Sequence, residues 1–128
     1  DIPTTISVSR VILTYLNSSK TVCLPEKVEG IVIQQVLQWC KLEYTDIRWN
    51  AVGILMLLGR NPLNRRTINN QIITLIDSDN VYIKNLIMNS LSDTAGIAEK
   101  TRVYVTEKCR NDYNYVVRMV CRNCISGE

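Results

Sequence analysis

The chain has 128 residues, of which 46% are hydrophobic and only 6% aromatic, and this length suits a single domain spanning residues 1–128. Its 15 basic and 12 acidic residues give a net charge of +3, far from the strongly basic composition of a dedicated nucleic-acid-binding protein. The absence of histidine removes the commonest general base and the commonest metal ligand.

Apolar residues recur at helical spacing along the whole chain, and no window of useful length alternates with the period of a strand. The sequence therefore predicts an all-α fold of about seven helices. They run from about Thr5 to Leu16, from Pro25 to Lys41, from a cap at Asp46 to Leu58, from a cap at Asn61 to Ile76, from a break at Asp77–Asp79 to Leu91, from a cap at Asp93 to a turn at Asn111–Asn114, and from that turn to Ile125.

The third predicted helix is apolar on nearly all sides, because only three residues between Ile47 and Leu58 are not apolar. A helix of this kind is buried by several neighbours, so it is predicted to be the central element of the fold. Both tryptophans, Trp39 and Trp49, are predicted to lie in the core. Four residues of the sixth helix region are also predicted to face inward: Ile97, Val103, Tyr104 and Val105.

One phrase recurs three times, consisting of an apolar residue, a basic residue and two further apolar residues at helical spacing. The copies are Ile47-Arg48-x-x-Ala51-x-x-x-Leu55, Ile83-Lys84-x-x-Ile87-x-x-x-Leu91 and Val117-Arg118-x-x-Cys121-x-x-x-Ile125. Their basic residues are separated by 36 and 34 positions. A period in the mid-thirties is typical of stacked helical hairpins. Arg10 with Leu13 forms a degenerate fourth copy.

These phrases, each with acidic residues in the turn before it, resemble HEAT repeats, and armadillo repeats are the close alternative. The resemblance covers nearly the whole chain. It implies a right-handed superhelical solenoid of about seven antiparallel helices, arranged as three to four hairpins whose second helices line a concave face. It also implies a structural ladder that joins Arg48, Lys84 and Arg118 to Asp46, Asp79 and Asp112.

Catalytic and metal sites are not indicated. The five glycines are scattered, so no phosphate-binding loop is present, and Cys121-x-x-Cys124 with Cys109 gives only three of the four ligands of a zinc site. We therefore predict a protein that is not an enzyme and has no cofactor or metal. An odd number of cysteines favours reduced thiols and a cytoplasmic location. They are Cys23, Cys40, Cys109, Cys121 and Cys124.

The leading functional hypothesis is a protein-protein interaction scaffold that binds its partner on the concave face of second helices. The fifth helix is predicted to expose Lys84, Asn85, Met88 and Asn89 to that partner, and the seventh helix Arg118 and Arg122.

The alternative hypothesis is a nucleic-acid-binding module similar to the HEAT-like alkylpurine DNA glycosylases. A local basic patch of Arg60, Arg65 and Arg66, with Arg118 and Arg122, would contact phosphates.

Self-association through the terminal repeats is a further expectation, because the first helix is apolar over a wide arc from Val8 to Leu16. A membrane span is not expected, since the longest apolar run covers only Ile54 to Leu58.

Overall fold

The computed structural model describes residues 1–18, 24–78, 80–91 and 97–126, and within these ranges it contains helices and no strand. The predicted all-α class is therefore confirmed. The helices are α1 (Ile2–Ser18), α2 (Glu26–Trp39), α3 (Thr45–Leu58), α4 (Arg65–Ser78), α5 (Val81–Ser90), α6 (Glu99–Arg110) and α7 (Tyr115–Ser126), and a short 3-10 turn at Pro62–Asn64 precedes α4.

The helices pack as successive pairs. α2 packs on α3, α4 on α5 and α6 on α7, so each even-numbered helix contacts the odd-numbered helix that follows it. The odd-numbered helices also contact one another in the order α1, α3, α5, α7, while α4 contacts α6. Most contacts therefore join elements that are near in sequence, as in folds built from stacked local units.

The apolar positions of the recurring phrase form the centre of the core. Ile47, Ala51 and Leu55 of α3 are fully buried, and so are their counterparts in the later copies, Ile83, Ile87, Val117 and Cys121. Burying one such aliphatic side chain contributes about 1.5–3 kcal/mol. α3 contacts α1, α2, α4 and α5, which confirms its prediction as the central helix.

The contact between α1 and α3 is close and partly polar. A Cβ atom added to Gly53 of α3 would lie 2.9 Å from Leu13 Cδ1 of α1, so the absence of a side chain at this position allows the approach. Asn50 of α3 is buried and donates a hydrogen bond from Nδ2 to Ser9 Oγ of α1 over 2.9 Å. This bond satisfies polar groups that burial would otherwise leave without a partner.

Several of the predicted helix ends differ from the observed ones; α6, for example, begins at Glu99 after Ala98, not after the predicted cap Asp93. Tyr44, rather than Asp46, precedes α3. Asp46 lies in the first turn of this helix, where a negative charge interacts favourably with the helix dipole. Asp77 and Ser78 continue α4 instead of ending it, and Asn80 caps α5 by accepting a hydrogen bond from the Ile83 amide over 3.1 Å. Asp79 and the predicted cap Asp93 lie outside the described residues.

The cap at Asn61 is confirmed, because its Oδ1 accepts a hydrogen bond from the Leu63 amide over 3.1 Å.

Burial separates the two tryptophans, which the sequence predicted to be alike. Trp39 is only 8% exposed and lies in the core as predicted, whereas Trp49 is 40% exposed and the prediction for it is wrong. The prediction for Val103 is also wrong, since it is exposed on α6, while Ile97 and Val105 are buried.

Among the described residues, no helix combines the length and the apolar content needed to cross a bilayer.

Candidate functional site

Lys84 and Arg118, which were predicted both as partner-binding residues and as members of a structural ladder, hold the turn before α7. Lys84 Nζ lies 2.7 Å from Asp112 Oδ2, and the two side chains are only 17% and 11% exposed. Arg118 donates hydrogen bonds from one guanidinium nitrogen to the carbonyl oxygens of Asp112, over 2.7 Å, and Tyr113, over 2.9 Å. Each of these two cations therefore has at least one donor nitrogen bonded to the turn.

The first copy of the phrase uses its arginine in the same way. Arg48 donates to the carbonyl oxygen of Leu42, six residues earlier and 2.6 Å away, as Arg118 does to Asp112. Where the HEAT resemblance implies a ladder of ion pairs, the described residues show the Lys84–Asp112 pair and three hydrogen bonds from Arg48 and Arg118 to backbone carbonyls.

The carboxyl group of Asp112 has a lowered pKa. Its burial favours the neutral form, but hydrogen bonds from Lys84 and from the Asn114 amide, together with the charges of Lys84 and Arg118, outweigh that effect. The group is therefore held in its charged form by its neighbours, as expected of a structural ion pair.

The remaining predicted residues differ in accessibility. Met88 is only 2% exposed, so the prediction that α5 presents it to a partner is wrong; it packs in the core. Asn89 and Arg122 are exposed as predicted, and Asn85 is partly exposed. The Oδ1 atom of Asn85 is buried and has no hydrogen-bond partner among the described residues. An unpaired buried acceptor is unfavourable in the free chain.

The predicted basic patch lies around the connection between α3 and α4. Arg60, Arg65 and Arg66 are all exposed. A buried carboxylate is attached to this connection, because Glu29 Oε1 accepts hydrogen bonds from Asn61 Nδ2, over 2.7 Å, and Asn64 Nδ2, over 2.5 Å. The three arginines therefore lie on a turn that is held in place by hydrogen bonds to the Glu29 carboxylate of α2.

The described cysteines are free thiols, and Cys23 lies outside the described residues. Burial, reinforced by the neighbouring Cys121 and Asp112, raises the pKa of Cys109 to about 12. Burial likewise raises the pKa of Cys121 and of Cys124. A nucleophilic or redox-active thiol requires a lowered pKa, so these groups have the character of core side chains.

Within the described residues, no cluster of three or more histidine, cysteine or acidic side chains is arranged to hold a metal ion.

The structure reveals a surface that sequence reasoning missed. In α1, α3 and α7 the residue directly after the basic residue of the phrase is exposed, and in α5 the equivalent Asn85 is partly buried. These residues are Val11, Trp49, Asn85 and Met119, and all except Asn85 are exposed large apolar side chains. The residues three positions earlier share the same helix face and are exposed as well: Val8, Asp46, Tyr82 and Val116. We call these two rows of residues the open face.

Trp49 borders a cleft at the junction of α1 and α3. The cleft has a volume of about 380 Å³ and is lined on the α1 side by Arg10, Leu13, Thr14 and Asn17. It combines an indole ring, a leucine side chain and hydrogen-bonding groups. A site of this composition suits an apolar side chain flanked by polar backbone.

The sequence contains a signal for the open face, which is the variation of residue type at equivalent positions of the recurring phrase. The positions of Val11, Trp49, Asn85 and Met119 are equivalent, yet their residue types differ widely. A core position would keep an aliphatic residue in each copy, as the position of Ile47, Ile83 and Val117 does.

Comparisons of this chain with protein-family models, curated proteins and solved structures found no match.

Proposed function

We propose that this protein is a non-enzymatic scaffold that binds a protein partner on the open face. In this proposal the helix pairs form a HEAT-like right-handed solenoid, and the odd-numbered helices line its concave surface. The observation that carries the proposal is the exposure of Trp49 on α3, with Val11 and Met119 exposed at the equivalent positions of α1 and α7.

Exposed aromatic and apolar side chains at such positions cost free energy in the isolated chain. Tryptophan and tyrosine are the residues most often found at the energetic centre of protein interfaces, where they fill a pocket of the partner. The row is apolar at Val11, Trp49 and Met119, and the partly buried Asn85 of α5 lies between the last two. Typical interfaces surround their apolar centre with a polar rim. Asn89 and Arg122 are exposed beside this row and are assigned to the rim.

The open face favours a protein over a nucleic acid. Phosphate binding requires several free cations, but Lys84 and Arg118 are held by groups of the chain itself. The exposed arginines at positions 60, 65 and 66 lie near the C-terminal end of α3, whereas Trp49 lies near its N-terminal end. A nucleic-acid site would combine a basic patch and aromatic side chains in one groove. Here the arginines and Trp49 are separated along α3.

The proposal is tested by photo-crosslinking. We would place p-benzoylphenylalanine at position 49 or 119, and at position 63 as the matched control, since Leu63 is also strongly exposed but lies outside the open face. In cells of the source organism, positions 49 and 119 are expected to yield the same protein adduct, and position 63 none. Equal adducts from all three positions, or none from any, would exclude the open face as the binding surface.

Affinity for the purified partner then measures the contribution of each residue. Trp49→Ala and Met119→Ala are expected to weaken binding by about tenfold or more, as is usual for central interface residues. Leu63→Ala should leave the affinity unchanged within about twofold. Light scattering at several concentrations of the free chain shows whether a second copy is the occupant, in which case the scaffold proposal is replaced by self-association.

A further inference from the structure

Arg10 of α1 differs from the basic residues at the equivalent position of the later odd-numbered helices. Arg48, Lys84 and Arg118 each bond to a turn. Arg10 is exposed and makes no hydrogen bond or ion pair with any described residue. The carbonyl group six residues earlier, which Arg48 and Arg118 use in their own copies, belongs here to Thr4 and lies within α1. The guanidinium group of Arg10 is therefore available to a ligand.

Arg10 and Trp49 both line the cleft between α1 and α3. The hydrogen bond from Asn50 Nδ2 to Ser9 Oγ, which is 2.9 Å long, places the neighbouring residues Arg10 and Trp49 at the same level of the two helices. The indole N–H of Trp49 also has no hydrogen-bond partner among the described residues. Two free donors, of which one is charged, thus line the same part of the cleft.

The rest of the cleft offers an apolar wall and room for a short segment of chain. Leu13 contributes its side chain beside the indole ring, and the volume is about 380 Å³. From Arg10 to Asn17 the lining follows α1 for about 10 Å. An extended chain advances about 3.3 Å per residue, so about three residues span this length.

The charges of the cleft select an acidic ligand. Among the described residues that line it, Arg10 alone is charged. A carboxylate accepts strong, directional hydrogen bonds from a guanidinium group, whereas a basic segment would be repelled. Single-stranded nucleic acids need a positively charged groove along their backbone, but Glu43 and Asp46 are exposed near the N-terminal end of α3. One free arginine near two acidic residues therefore suits a carboxylate better than a polyphosphate.

We propose that this cleft holds an acidic segment of the protein partner. An aspartate or glutamate side chain of the partner accepts hydrogen bonds from the Arg10 guanidinium group and the Trp49 indole N–H. A large apolar side chain next to it packs on Leu13 and on the indole ring. The inference rests on the proposed scaffold function, to which it adds the chemistry that selects the partner.

NMR of the isotope-labelled chain tests the inference with a short peptide. The chain has two tryptophans, so the indole N–H signal of Trp49 is assigned by comparison with Trp49→Phe. Blocked Gly-Ser-Asp-Leu-Asp-Ser-Gly is expected to shift this signal saturably, with a Kd of about 1 mM or below, and to leave that of the buried Trp39 in place. A peptide with asparagine in place of both aspartates should bind about twofold to fivefold more weakly, the range of an exposed charge pair.

Variants of the chain then test the role of Arg10. Arg10→Gln should weaken binding of the aspartate peptide by the same factor of about twofold to fivefold. Arg60→Gln is the matched control, because Arg60 is exposed, lies outside the cleft and carries the same charge. It should bind the peptide like the unaltered chain. Arg10→Glu should reverse the preference and favour a peptide with lysine in place of both aspartates.

The inference is overturned if the aspartate and asparagine peptides bind equally, if no peptide shifts the Trp49 signal, or if Arg60→Gln weakens binding as much as Arg10→Gln. Tighter binding of decauridylate than of the aspartate peptide would also overturn it, in favour of a nucleic acid. Each of these results leaves the scaffold proposal to its own test, since the crosslinks at positions 49 and 119 do not depend on an acidic partner. Circular dichroism checks that each variant keeps its helices.

Discussion

Lys84 of α5 and Asp112 in the turn before α7 form an ion pair of 2.7 Å that is largely shielded from solvent. The pair joins two consecutive helix pairs, and Asp112 also accepts a hydrogen bond from the Asn114 amide over 2.8 Å within its own turn. A single carboxylate therefore fixes both the shape of the turn and its position relative to α5.

We expect the two charges to be energetically coupled. In a double-mutant cycle with Lys84→Met and Asp112→Asn, the coupling energy from urea unfolding should be about 1–3 kcal/mol, since the pair is partly buried and hydrogen-bonded. Arg110 and Glu107 provide the control, because they form an exposed pair at 3.0 Å on α6. Their coupling should stay below about 0.5 kcal/mol. Equal couplings in the two cycles would contradict a structural role for Lys84.

The same pair predicts a dependence of stability on pH. The pKa of Asp112 is lowered in the folded chain, so its contribution is complete above the unfolded value of about 3.9 and is lost as the pH falls through the folded pKa. The difference in unfolding free energy between the unaltered chain and Asp112→Asn should therefore be constant from pH 7 to pH 5 and shrink below about pH 4. Urea titrations at pH 7, 5, 4 and 3 measure it, and a difference that grows on acidification would refute the assignment.

Two glycine substitutions should have different effects. Gly30 of α2 has no atom within 4 Å of an added Cβ, so Gly30→Ala should stabilise the chain by about 0.5–1 kcal/mol through its helix propensity. At Gly53 an added Cβ would meet Leu13 at 2.9 Å, so α1 or the Leu13 side chain must move. We expect Gly53→Ala to be less stable than Gly30→Ala by roughly 1–3 kcal/mol. Similar thermal midpoints for the two variants would show that α1 does not approach α3 this closely.

The two tryptophans should also differ in their effect on stability. Trp39→Ala removes a buried ring and should cost about 3–5 kcal/mol. Trp49→Ala removes a ring that is 40% exposed and should cost less, about 1–3 kcal/mol. Chemical unfolding followed by circular dichroism measures both. A large loss for Trp49→Ala would mean that the indole serves the fold, and would weaken the case for the open face.

Thiol alkylation should follow burial. At pH 8 in the native chain, Cys109 is expected to resist iodoacetamide, because its pKa is raised to about 12 and the side chain is buried. Cys124 is less buried and should be modified before it. In denaturant both should react readily. Mass spectrometry of peptides at timed intervals gives the order, and early native modification of Cys109 would contradict its place in the core.

The sequence predicted the helices and the core well because both depend on the apolar pattern. The positions of Ile47, Ile83 and Val117 are buried in each copy, as the phrase requires. It predicted the surface poorly because exposure depends on which neighbour covers a side chain. Met88 and Trp49 illustrate this limit, because Met88 was predicted to be exposed and is buried, whereas Trp49 was predicted to be buried and is 40% exposed.

The predicted caps show a second limit. The sequence predicted that α5 starts after the acidic break Asp77–Asp79, but the observed cap of α5 is Asn80. Aspartate and asparagine have similar cap preferences, so composition alone does not distinguish which residue of a polar turn will fulfil the role.

The central position of α3 also determines how the chain can open. Because α3 contacts α1, α2, α4 and α5, its amide hydrogens can exchange with solvent only when several helix contacts break together. α1 packs mainly on α3 and can detach by losing one interface. We therefore expect slower amide exchange in α3 than in α1, and the cleft beside Trp49 lies at the boundary between these two helices.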